Sequence, residues 1–97
     1  MKRDKEITPL SKAIDKLLEV YRMSDSMNEI SIEKEWKELM GSAIANKTTK
    51  IELRKKILII HLESAVLRHE LNFAKEKLKE SLNRKMKKRI IDEIIFS

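Results

Sequence analysis

Leu10, Ile14, Leu17, Leu18 and Tyr21 recur at steps of three and four, the spacing of one helical face. Thr8 can cap such a helix and Pro9 suits its first position, so a first helix is predicted from there to about Arg22. Ser24 to Ser26 and Asn28 are turn and cap residues. After them Ile32, Trp36, Leu39, Met40, Ala43 and Ile44 line one side of a second helix, which Asn46 to Thr48 should end.

From Thr49 the period changes to two. Thr49, Ile51 and Leu53 alternate with Lys50, Glu52 and Arg54, as in a strand with one wet face, and Arg54, Lys55 and Lys56 make a basic turn. Ile57 to Leu62 is aliphatic on both faces apart from His61, which predicts the central strand of a sheet. Ser64 can cap a long third helix with the stripe Leu67, Leu71, Ala74, Leu78, Leu82 and Met86. Arg89 to Phe96 reads as a last strand. The order is ααββαβ, an α+β fold in which a three-stranded sheet is covered by helices and the last strand arrives after a helical crossover. No repeat, low-complexity tract or Pro- and Gly-rich linker divides the chain, so residues 1–97 should form one domain, with 1–7 a flexible N-terminal tail.

Charge changes this picture. The 97 residues carry a formal +6, and Lys75 to Arg89 alone holds eight bases against two acids, a surplus equal to the net charge of the whole chain. That is a localised patch, and polyanions become candidate partners. Charged residues make up 39% and hydrophobic ones 41%, so the chain can build one thin core under an ionic surface. The absence of cysteine fits a reducing compartment, with the cytoplasm as the default. The longest aliphatic run, Ile57 to Ile60, is far too short to cross a bilayer, so no membrane role is expected.

One glycine cannot supply a Walker-type loop, a dinucleotide-binding loop or a Gly-x-Ser-x-Gly elbow. His61 and His69, beside Glu63 and Glu70, show no metal or triad spacing, and Glu33, Glu35 and Glu38 interleave with Lys34 and Lys37 as a solvated face. No enzyme, cofactor or metal is therefore expected.

At 100° per residue Phe73, Lys77, Arg84 and Lys88 gather opposite the apolar stripe of the third helix, with Glu80 among them and Lys85, Lys87 and Arg89 extending the basic end. Such a face can neutralise phosphates and stack a base on the aromatic ring. It can equally be a solvated helix end that complements the helix dipole, with Phe73 packed on the first helix. Arg54, Lys55 and Lys56 are a second basic point, relevant to binding only if they lie near the helix patch; hairpin lysines also serve solubility. Trp36 is read as a core anchor or a partner contact, and Gly41 as the mark of a close approach to another backbone.

Trp36 with Met40 and Gly41, then Ala45, Thr48, the Ile51 and Leu53 strand, Leu58 to Leu62, Glu70 with Leu71 and Leu82 with Asn83 resemble, in that order, the DciA family of bacterial proteins, long described as a domain of unknown function. The similarity runs from about Leu10 to Phe96. It implies a KH-like domain that works in DNA replication with the replicative helicase, helping it onto or along single-stranded DNA without hydrolysing ATP. The single glycine excludes the Gly-x-x-Gly loop with which KH domains clamp nucleic-acid backbone. The expected function is a bacterial accessory protein of replication that binds the helicase and single-stranded nucleic acid through its basic helix. The alternative is a protein-interaction module for an acidic partner with no nucleic-acid role.

Overall fold

A helix of 39 residues, α1 (Lys2–Met40), opens the chain, followed by a short α2 (Ser42–Asn46), the strands β1 (Thr48–Arg54) and β2 (Ile57–Leu62), the helices α3 (Ala65–Asn72) and α4 (Lys75–Met86), and β3 (Glu93–Phe96). This computed structural model describes residues 2–97; Met1 and the side chains of residues 1–9 and 21 lie outside the described residues, and the side chains of the tail expected over 1–7 are among them. The α+β class holds, with helices ahead of a strand pair, then a helical crossover and a last strand.

Boundaries differ from expectation at four places. The turn expected over Ser24 to Asn28 is absent, and α1 runs through it. No glycine or proline lies between Leu10 and Met40, and serine, aspartate and asparagine only weakly oppose a helix that has other partners. One of these turn-like residues, Asp25, accepts a hydrogen bond at Oδ2 from the Lys55 backbone N–H at 3.3 Å, tying α1 to the hairpin. The break falls instead at Gly41, with φ +84°, so the expected second helix is shared between the end of α1 and α2. The third helix is also divided. Phe73 and Ala74 donate three residues back, to the carbonyls of Glu70 (3.3 Å) and Leu71 (3.0 Å), and Leu78 donates to Ala74 at 2.9 Å to start α4. The two pieces then follow different neighbours, α3 the strands β2 and β3, α4 the helix α1 and β3. Finally, β3 begins at Glu93, because Asn83 holds the residues before it in a loop.

The sheet order is β1-β2-β3, so Ile57 to Leu62 is indeed central. β1 runs antiparallel to β2, with Ile51 opposite Ile60 and Arg54 opposite Ile57. β3 runs parallel to β2, with Leu58 beside Ile94 and Ile60 beside Phe96. A parallel neighbour requires a crossover, and α3 with α4 supplies it. Alternation along the strands sends Ile51, Leu53, Leu58, Ile60, Leu62, Ile94 and Phe96 into one core, where Ile32 and Trp36 of α1, Leu71 of α3, and Leu78 and Leu82 of α4 cover them. The opposite face carries Glu52, His61 and the 40% exposed Ile95.

Trp36 is the pin of this core at 1% exposure. Its ring lies 6.1 Å from that of Phe96, and its Nε1–H donates to Thr48 Oγ1 at 3.0 Å, while the Thr48 hydroxyl donates to the Ile44 carbonyl at 2.9 Å. One indole thus joins α1, α2, β1 and β3. Gly41 serves a different end from the close approach expected of it: a Cβ there would meet nothing within 4 Å. The glycine is needed because its backbone is left-handed, a conformation that an L side chain opposes.

Candidate nucleic-acid interface

The hairpin between β1 and β2 turns on Lys55 and Lys56, with φ 52° and 70°. Two successive positive φ values make the turn whose twist matches the strands, a turn that ordinarily takes asparagine and glycine. Here both positions are lysine. The Lys56 carbonyl accepts the Asp92 N–H at 2.7 Å and the Glu93 N–H at 3.3 Å, so the hairpin abuts the loop between α4 and β3. The two basic segments of the sequence therefore meet at one end of the sheet.

That loop begins with Lys87, the C-cap of α4, at φ 59°. Its N–H donates to the Arg84 carbonyl at 3.1 Å and the Lys88 N–H to the Asn83 carbonyl at 3.3 Å, closing a left-handed cap that usually calls for glycine. Asn83 then holds the rest. Its Oδ1 accepts from the N–H groups of Ile90 (3.1 Å) and Ile91 (2.9 Å), and its Nδ2 donates to the Ile91 carbonyl at 2.9 Å. Ile91 is fully buried, so the loop is pinned at both ends while Lys87, Lys88 and Arg89 stay exposed. A shallow groove beside it is lined by Lys79, Glu80, Asn83, Arg84, Lys88 and Arg89.

The face expected along one helix is thus redistributed. Arg84, Lys88 and Arg89 share the groove, and Lys85 turns toward Leu39 and Ser81 on its other side. Phe73 precedes α4 and Lys88 follows it, so the two are separated by the length of that helix, about 20 Å. Phe73 is 78% exposed, away from any packing on α1, and meets the His69 ring edge-on at 5.1 Å. Lys77 is exposed on the first turn of α4, on the Phe73 side.

Ion pairs decide which charges are available. Arg89 faces Asp92 at 3.4 Å, and Arg54 faces Glu52 at 3.2 Å. Glu52 also takes Lys50 at 3.3 Å and His61 Nε2 at 2.8 Å. The hydrogen bond from His61, helped by Arg54 and Lys50, holds the Glu52 carboxyl at a pKa of about 2. Among the described residues, Lys55, Lys56, Lys77, Arg84, Lys85, Lys87 and Lys88 make no such pair. Their charge is directed outward, where only a partner or salt can neutralise it.

Asn83 and the Glu52–His61 pair were not singled out by residue pattern as parts of a basic site. A lone asparagine near a helix end is ordinary, and the partners of Glu52 lie on two strands. Among the described residues, no three His, Asp or Glu side chains converge to hold a metal, and no helix is long and apolar enough to cross a membrane.

Comparison with curated proteins and with solved structures returns no match. A family model described as "Dna[CI] antecedent, DciA" matches residues 9–96, which takes in α1 from Pro9, the whole sheet, the hairpin and the Asn83 loop. On that match, spanning nearly all of its length, the chain belongs to the DciA family.

Proposed function

We propose that this protein is a non-enzymatic accessory factor of bacterial DNA replication, acting in the cytoplasm, that engages the replicative helicase and binds single-stranded DNA at the basic end of its sheet. Membership of a family tied to replicative-helicase loading supports the first part. The second rests chiefly on the contact of Lys56 with Asp92, which unites Arg54 to Lys56 with Arg84 to Arg89. A single strand then follows its phosphates along Lys55, Lys56, Lys87 and Lys88, with Arg84 and Lys85 beside them. Phe73 with Lys77 offers a stacking platform one helix length away, so a strand crossing α4 meets both.

Fluorescence anisotropy with a labelled single-stranded oligonucleotide tests the nucleic-acid part. Four phosphates neutralised together, at Lys55, Lys56, Lys87 and Lys88, give a log–log salt slope of about −3. Reversing Arg84 and Lys88 to glutamate should remove most of the binding at low salt. No binding at low salt by the unaltered protein would defeat this part. A pull-down against the host's replicative helicase tests the other, and the same variant shows whether the basic end serves one partner or both.

A further inference from the structure

One acid stands inside the basic groove. Glu80 lines it together with Lys79, Asn83, Arg84, Lys88 and Arg89. On α4 it lies about one turn after Lys77 and one turn before Arg84, so a strand passing from Phe73 to the basic end crosses it. A glutamate at that spacing ordinarily pairs with its basic neighbours. Among the described residues Glu80 makes no ion pair: Lys79 faces Glu76 at 2.8 Å, Arg89 faces Asp92, and Arg84 and Lys88 face no acid. A free carboxylate at this point repels every phosphate that passes, so it works against a surface that only binds phosphates.

The other polar side chains of the groove offer no acceptor. Lys79, Arg84, Lys88 and Arg89 only donate. Asn83 is committed to the loop, since its Oδ1 accepts from Ile90 and Ile91 and its Nδ2 donates to the Ile91 carbonyl. Acceptor capacity in the groove therefore belongs to Glu80. We propose that Glu80 selects the base that lies against it, favouring cytosine, adenine and guanine over thymine. The inference rests on the single-stranded DNA reading above. Phosphates settle on the cations to either side, which leaves a base edge to meet the carboxylate. Cytosine and adenine donate to it from their exocyclic amines, and guanine from N1 and N2. Thymine presents O2 and O4, which the carboxylate repels, with a single N–H between them. One such bond lies at the low end of base discrimination, so cytosine should exceed thymine by roughly five- to tenfold.

Fluorescence anisotropy at neutral pH and low salt, with labelled oligo-dC and oligo-dT of equal length, tests this. Both are pyrimidine strands, so the comparison chiefly varies the base edge. The unaltered protein should bind oligo-dC roughly five- to tenfold more tightly. Glu80→Ala should erase that ratio and tighten the binding of oligo-dT, because the repelling charge is gone. Its thermal transition, followed by Trp36 fluorescence, should not fall, since Glu80 is exposed on a helix that accepts alanine. Glu76→Ala removes an acid of the same helix that does not line the groove, and should leave the ratio standing. Equal binding of the two strands by the unaltered protein, or a ratio that survives Glu80→Ala, overturns the base selection while the DNA reading stands. A ratio lost equally in Glu76→Ala makes the effect one of net charge and overturns it as well. No binding of either strand overturns both readings.

Discussion

Two regions of this molecule solve the same backbone problem in opposite ways. At the junction of α1 and α2 the chain turns through a left-handed residue and uses its one glycine, Gly41. At the basic end it turns through left-handed residues three times and uses lysine each time, at positions 55, 56 and 87. An L side chain in that conformation costs roughly 1–2 kcal/mol. Around Gly41 only geometry is required, since a Cβ would find open space. At the lysines the cost is carried by exposed residues that, among the described residues, have no ion-pair partner. Strain retained where a glycine would relieve it is what the proposed polyanion contact would require.

The junction should be the more sensitive to truncation. Trp36→Ala removes the pin of the core and is expected to cost about 3–5 kcal/mol, read by urea denaturation. Asn83→Ala attacks the basic end through its support. It leaves the N–H groups of Ile90 and Ile91 without their acceptor and should cost about 1–3 kcal/mol, with weaker oligonucleotide binding although no charge is lost. If that variant binds DNA normally, the loop it holds is not the contact surface.

Gly41→Ala should destabilise by about 1–3 kcal/mol, because φ +84° with ψ 170° is a region essentially confined to glycine. Lys87→Gly should do the reverse, stabilising by about 0.5–1 kcal/mol while reducing the magnitude of the salt slope for DNA by about 1. A Lys87→Gly protein that is no more stable, or that binds DNA unchanged, would erase the contrast between the two regions. The smallest effect concerns Glu52. Its carboxyl sits at about 2 in the folded protein against 4.5 ordinarily. Its contribution to stability is therefore complete above pH 4.5 and lost as the pH falls toward 2. Glu52→Gln should lower stability slightly at neutral pH, flatten acid unfolding within that window, and differ least from the unaltered protein near pH 2.

How far these features could be read beforehand varies along the chain. The strands were legible, because Ile51 to Leu53 alternates and Ile57 to Leu62 does not, which separates an edge from a centre. The helix breaks were not. Ser24 to Asn28 has the composition of a turn yet stays helical, with Asp25 bound to the hairpin, while Phe73 and Ala74 carry no turn signal and nevertheless divide α3 from α4. In both cases contacts with distant elements outweighed local preferences of a few tenths of a kcal/mol per residue. The basic residues were all visible as a charge surplus, but the grouping expected from a single straight helix failed when the helix was broken and Phe73 moved to its head.

By itself the sequence determined the class of fold, the central strand, the concentration of charge after Lys75 and the family pattern around Trp36 and Gly41, because these depend on residue type and spacing. Tertiary structure decided what periodicity cannot carry. The apolar stripe of α1 looks the same before and after Asp25, yet Ile32 and Trp36 are buried while Leu10 and Leu17 are not, since only the second half has a sheet to lie on. It also brought Lys56 to Asp92, joining two basic segments some thirty residues apart in the chain. A hydrogen bond between backbone atoms leaves no trace in side-chain composition, and that bond is what makes one basic end of two.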